Sequence, residues 1–92
     1  MTKRSTKRPR LIRCEIRYNA KQGAWYYREK IDGVWEPSYE GFPKLAFIRD
    51  TVQRLRQRIA LVPACFSLRI YKRNGQYQDE RSYGHDPRKS KG

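Results

Sequence analysis

The stretch FPKLAFIRDTVQRLRQRIALVP, residues 42–63, decides the fold. Leu45, Ile48, Val52, Leu55 and Ile59 recur at spacings of three and four. At about 100° per residue these five fall within an arc of roughly 80°, the apolar stripe of an amphipathic helix. Arg49, Gln53, Arg54, Arg56 and Arg58 occupy the opposite surface. Pro43 suits the first turn, and Pro63 halts the helix just after Leu61. Phe47 points away from the stripe, so it either caps the helix entry or is exposed.

On both sides of this helix the apolar period falls to two. In LIRCEIRY (11–18), Ile12, Cys14, Ile16 and Tyr18 share one face, and Arg13, Glu15 and Arg17 share the other. That is a half-buried strand. NAKQG (19–23) is a turn, and AWYYREKI (24–31) is a second strand rich in aromatics. Asp32-Gly33 suits a two-residue hairpin loop, and VWE (34–36) is a short third strand stopped by Pro37. Beyond the helix, FSLRIY (66–71) turns Phe66, Leu68 and Ile70 inward and Ser67, Arg69 and Tyr71 outward. Asn74-Gly75 marks a hairpin, with QYQDER (76–81) returning. The order β-β-β-α-β-β predicts an α+β fold. A small, mostly antiparallel sheet carries one amphipathic helix on one face and leaves the other free.

A chain of 92 residues is expected to form one domain with a thin core. Its formal charge is +13. Residues 1–10 hold five basic groups and no acid, and Arg88, Lys89 and Lys91 add three more near the other end. Without those eight, 14 basic groups face 9 acidic ones, about +5 over residues 11–87. The expected organisation is a disordered basic arm (1–10), a single α+β domain (11–84) and a basic tail (85–92). The basic start lacks the apolar run of a signal peptide, and no apolar run reaches the roughly 18 residues of a membrane span. A soluble cytoplasmic protein is expected. Cys14 and Cys65 are read as two buried thiols, with a disulfide open if they sit on neighbouring strands.

Few residues suit catalysis. His85-Asp86 beside Ser82 invites a Ser/His/Asp reading. A triad, however, needs an exposed nucleophile, an oxyanion hole and an imidazole held by a buried carboxylate. Groups this close in sequence, next to a basic tail, do not converge that way. A strand end, a glycine turn and an Asp-Pro stop account for the same residues. Asp79 and Glu80 are adjacent and face opposite sides of a strand. No phosphate-cradling glycine motif occurs, and one histidine with two cysteines does not complete a zinc site. The expectation is a protein that is not an enzyme and uses no metal or cofactor.

Seven tyrosines amid basic side chains point to nucleic acid, DNA or RNA. The candidate contacts begin with Lys3, Arg4, Lys7, Arg8 and Arg10 in the arm, then Arg13 and Arg17 on the first strand. Arg49, Arg54, Arg56 and Arg58 follow on the helix, then Arg69, Tyr71, Lys72 and Arg73 on the fourth strand and its turn. Helix face and sheet face are both candidate surfaces. The alternative is a small inhibitor or adaptor, of the kind phages and mobile elements encode, whose basic face meets an acidic protein. Homodimerisation through Trp25, Tyr27 or Trp35 is a third option.

The segment QDERSYGHDPRKSKG (78–92), after a strand and an Asn-Gly turn, resembles the ending of the small bacterial family catalogued as domain of unknown function 2188. The matching positions are Gly23 with Trp25, the helix after Phe42, the turn at Gly75, and Tyr83-Gly84-His85-Asp86-Pro87. The chain departs from that pattern by placing Ala24 between the glycine and the tryptophan, and by an arginine-rich helix. The resemblance covers residues 11–92 and implies a small α/β domain with no established activity.

Overall fold

A computed structural model describes residues 10–84. The expected arm, Arg10 apart, and the tail 85–92 lie outside the described residues. Six elements follow in order: β1 (Arg10–Asn19), β2 (Ala24–Ile31), β3 (Val34–Gly41), α1 (Lys44–Leu61), β4 (Ala64–Tyr71) and β5 (Tyr77–Gly84). The five strands form one sheet in the order β3-β2-β1-β4-β5, with α1 against one face. This is the predicted α+β class. Three ladders are antiparallel, while β1 and β4 pair in parallel. The helix makes that pairing reachable, because two parallel neighbours need a long crossover between them.

Local chemistry sets the strand ends. Asp32 (φ 51°) and Gly33 (φ 82°) both take the left-handed conformation that a two-residue hairpin loop requires. β3 does not stop at Glu36 as expected; it runs through Pro37 to Gly41. Two features permit this. β3 is an edge strand, where a missing N–H removes no ladder bond. The register also jumps from Tyr27↔Tyr39 to Arg28↔Pro37, leaving Ser38 as the extra residue of a bulge. β5 likewise runs beyond Arg81 to Gly84. Gly84 has φ 98°, and a Cβ there would sit 2.2 Å from the Ala64 carbonyl oxygen, so the strand closes on β4 only with glycine at that point.

The core lies between sheet and helix. Cys14 and Ile16 of β1, Trp25 and Tyr27 of β2, and Phe66, Leu68 and Ile70 of β4 are all buried there. The expected homodimer contacts through Trp25 and Tyr27 are therefore corrected, because both rings are interior. Cys14 pairs with Leu68 and Cys65 with Leu11, so the two cysteines point to opposite faces and no disulfide joins them.

The helix meets the sheet on a face rotated from the predicted stripe. Phe47 is 4% exposed, and Leu45, placed in the stripe by its spacing, is 79% exposed. The buried row is Phe47, Thr51 and Leu55, with Ile48 beside it. Phe47 fits over the bare backbone of Gly41 and meets the Tyr39 ring edge-on at 5.5 Å. Thr51, fully buried in mid-face, is polar and so hides this row from a count of apolar residues. Replacing Phe47 with Ala should cost about 3–5 kcal/mol of stability, whereas Leu45→Ala should stay within about 0.5 kcal/mol. Denaturant unfolding of the two variants checks this; equal losses would mean a different helix face is buried.

Candidate functional site

The sheet face away from α1 carries the odd-numbered residues of β1. Glu15 is its centre and is only 6% exposed. The antiparallel register sets Arg28 opposite Glu15, and the parallel register sets Arg69 beside it. Glu15 Oε1 accepts hydrogen bonds from Arg17 Nε at 2.7 Å and from Arg28 Nε and Nη2 at 2.9 and 2.7 Å. Its Oε2 accepts from the Tyr71 hydroxyl at 3.1 Å. Burial by itself would raise this carboxyl, but the bonds and charges of Arg17 and Arg28 outweigh it and hold the group below its ordinary value.

Each clasping arginine also lies on an aromatic ring. The Arg17 guanidinium stands 3.8 Å over Tyr71, and the Arg28 guanidinium 4.5 Å over Trp35. Lys30 approaches the Trp35 ring at 5.8 Å. The result is a row across four strands: Tyr71, Arg17, Glu15, Arg28, Trp35. A cleft of about 860 Å³ opens at the β2–β3 side, lined by Tyr26, Arg28, Trp35, Pro37 and Lys21 among others. Arg13 and Lys30 are exposed at the margins of the row, and Arg69 is paired with Glu80 at 3.6 Å. Glu80 also accepts a bond from the Ser67 hydroxyl at 3.0 Å.

The predicted contacts are thus distributed unevenly. Arg13, Arg17, Arg69 and Tyr71 share the open face. Tyr71 is nevertheless buried, with one ring face under Arg17, so it is not a bare stacking surface. The helix arginines divide between two flanks. Arg54 covers Tyr39 at 4.3 Å and Arg58 pairs with Glu29 over Phe66, while Arg56 leans toward Tyr83 at 5.9 Å. Arg49 is exposed. Lys72 and Arg73 sit in the β4–β5 turn, and Arg10 opens β1. Lys3, Arg4, Lys7 and Arg8 lie outside the described residues.

Glu15, Arg28, Tyr26, Lys30 and Trp35 were not among the predicted contacts. The signal for Arg28 was available: folding β1 onto β2 about the NAKQG turn brings it opposite Glu15. Ser82 is exposed on β5, and His85 and Asp86 lie outside the described residues. Burial pushes the Cys14 thiol up to about 12, which keeps it protonated and unreactive. Among the described residues no three His, Cys, Asp or Glu side chains gather to hold a metal ion. Nor is any helix among them long and apolar enough to cross a membrane. No family model, curated protein or solved structure matches the chain.

The Glu15 clasp has a defined pH signature. A carboxyl lowered by folding adds stability that is complete above its ordinary value of 4.5 and is lost as pH falls through the folded value. Glu15→Gln should cost about 1–3 kcal/mol at neutral pH, because Arg17 and Arg28 lose a charged acceptor. The gap from wild type should narrow below pH 4.5. Urea unfolding across pH 3–7 measures it; a gap that is constant with pH would show that charge is not what the clasp contributes.

Proposed function

We propose that the chain is a non-enzymatic nucleic-acid-binding module, held mainly by charge and weakly selective for sequence, with the open sheet face as its interface. The observation that carries this reading is the locked row of guanidinium groups on aromatic rings around Glu15. Planar groups already fixed in place lose little side-chain freedom when a base stacks on them. Trp35 and Tyr26 offer ring surface in the cleft, while Arg13, Lys30 and Arg69 lie where a phosphate backbone would run. Stacking of this kind needs unpaired bases, so single strands are the favoured ligand. With it goes a cytoplasmic setting, which suits two buried cysteines on opposite sheet faces. The likeness to the family with the Tyr-Gly-x-Asp-Pro ending belongs to this reading as a statement about fold, and it supplies no activity.

A gel-shift panel of single- and double-stranded DNA and RNA at two salt concentrations tests the reading. Single strands should bind more tightly than duplexes, and about five neutralised phosphates give a log–log salt slope of roughly −3 to −4. Trp35→Ala should weaken single-strand binding by about 1–3 kcal/mol. Affinity that is flat with salt would overturn the reading. So would a stoichiometric acidic protein that stays bound after nuclease digestion.

A further inference from the structure

Tyr18, at the end of β1, also lines a second groove of about 570 Å³. The start of β2, the β4–β5 turn and the start of α1 enclose the rest of it, through Trp25, Arg73, Phe42 and Lys44. Two cations stand over its aromatic wall. Lys44 Nζ is 4.6 Å from the Trp25 ring, and the Arg73 guanidinium is 4.7 Å over Tyr18. The two rings are 5.1 Å apart, which brings the two positive groups to neighbouring positions. Lys44 donates to the neutral Gln78 side chain at 2.5 Å, and Arg73 Nη2 lies 3.4 Å from the Tyr18 hydroxyl. Burial, and then the charge of nearby Lys72, hold the Lys44 ammonium below its ordinary value.

Five arginines of the fold are held by acids, and the cations of this groove are not among them. Arg17, Arg28, Arg58, Arg69 and Arg81 each meet a carboxylate. Among the described residues, no ion pair involves Lys44, Lys72 or Arg73, and the first turn of α1 contains no acidic residue. Lys44 and Arg73 line the groove without an acid between them, with Lys72 near Lys44, and an anion entering the groove offsets this positive charge. A phosphate monoester carries about −1.5 to −2 charges at neutral pH, more than the single charge of a backbone diester. It therefore gains more from the two cations of the groove than an internal phosphate does. Phe42, 73% exposed at the rim, offers a ring to the adjoining base. Tyr18 borders both this groove, on the helix side, and the cleft of the open face, so one strand reaches both by passing round the end of β1.

We propose that this groove holds the terminal phosphate of a bound single strand, so that the protein recognises strand ends. The proposal rests on the nucleic-acid reading of the open face and adds the part of the ligand that it selects. The test compares three oligonucleotides of one sequence, carrying a 5′-phosphate, a 3′-phosphate or neither, by fluorescence anisotropy with the full chain. One phosphorylated end should bind about tenfold more tightly than the unphosphorylated strand, the gain of one further set of charge-assisted contacts. A Lys44→Gln, Arg73→Gln double variant should lose that preference and bind all three strands alike. Equal binding of all three strands by the wild type would overturn the groove proposal and leave the open-face reading intact. If no strand binds, the open-face reading fails, and inorganic phosphate decides the groove alone. In a Trp35→Phe background, Trp25 emission should then shift as Lys44 leaves the indole, and not in the double variant. An unchanged emission would overturn the groove as well.

Discussion

A buried carboxylate in the middle of an otherwise open sheet face is the constraint on which the rest depends. Removing Glu15 from water is costly unless its oxygens are fully engaged. The donors come from three strands: Arg17 from β1, Arg28 from β2 and Tyr71 from β4. They converge only when one antiparallel and one parallel ladder are both in register. A slip of one residue in either would turn its donor to the helix side and leave the charge unpaired. Glu15 thus ties the N-terminal hairpin to the strand that follows the helix.

The helix side repeats the device in a different form. Glu29 accepts from the Tyr27 hydroxyl at 3.0 Å and pairs with Arg58 of the helix. The Tyr27 ring stacks on Tyr39 at 5.2 Å, and Arg54 covers Tyr39 from above. On each face a carboxylate immobilises an arginine, and the arginine roofs an aromatic ring. These arginines are therefore part of the architecture. For the remaining cations, position matters more than number.

The architecture was largely legible in the sequence, because it rests on period. Alternation in LIRCEIRY and FSLRIY reports which residues face the helix, and the structure places Cys14, Ile16, Phe66, Leu68 and Ile70 there. What was not legible comes from interactions that period ignores. Glu15 and Tyr71 occupy outward positions and are still buried, because neighbouring strands supply long side chains that cover them. Pro37 reads as a strand end until the strand is known to be an edge with a bulge. Phe47 and Leu45 exchange roles because Gly41 leaves room for one ring and nothing in the local pattern records that room. Lys44 and Arg73 are far apart in the chain and meet only across the Tyr18–Trp25 pair.

The parallel pairing has a geometric outcome for the charged ends of the chain. Arg10 pairs with Ala64, and Gly84 pairs with Cys65, so both ends of the described chain flank the first residues of β4. The chain therefore enters and leaves the described fold at a single end of the sheet. Lys44, Lys72 and Arg73 mark the opposite pole, where β1 and β4 end. Ten residues of β1 separate the two, about 33 Å at the rise of an extended strand. At that separation, about four screening lengths at physiological salt, charge at one end of β1 is scarcely felt at the other.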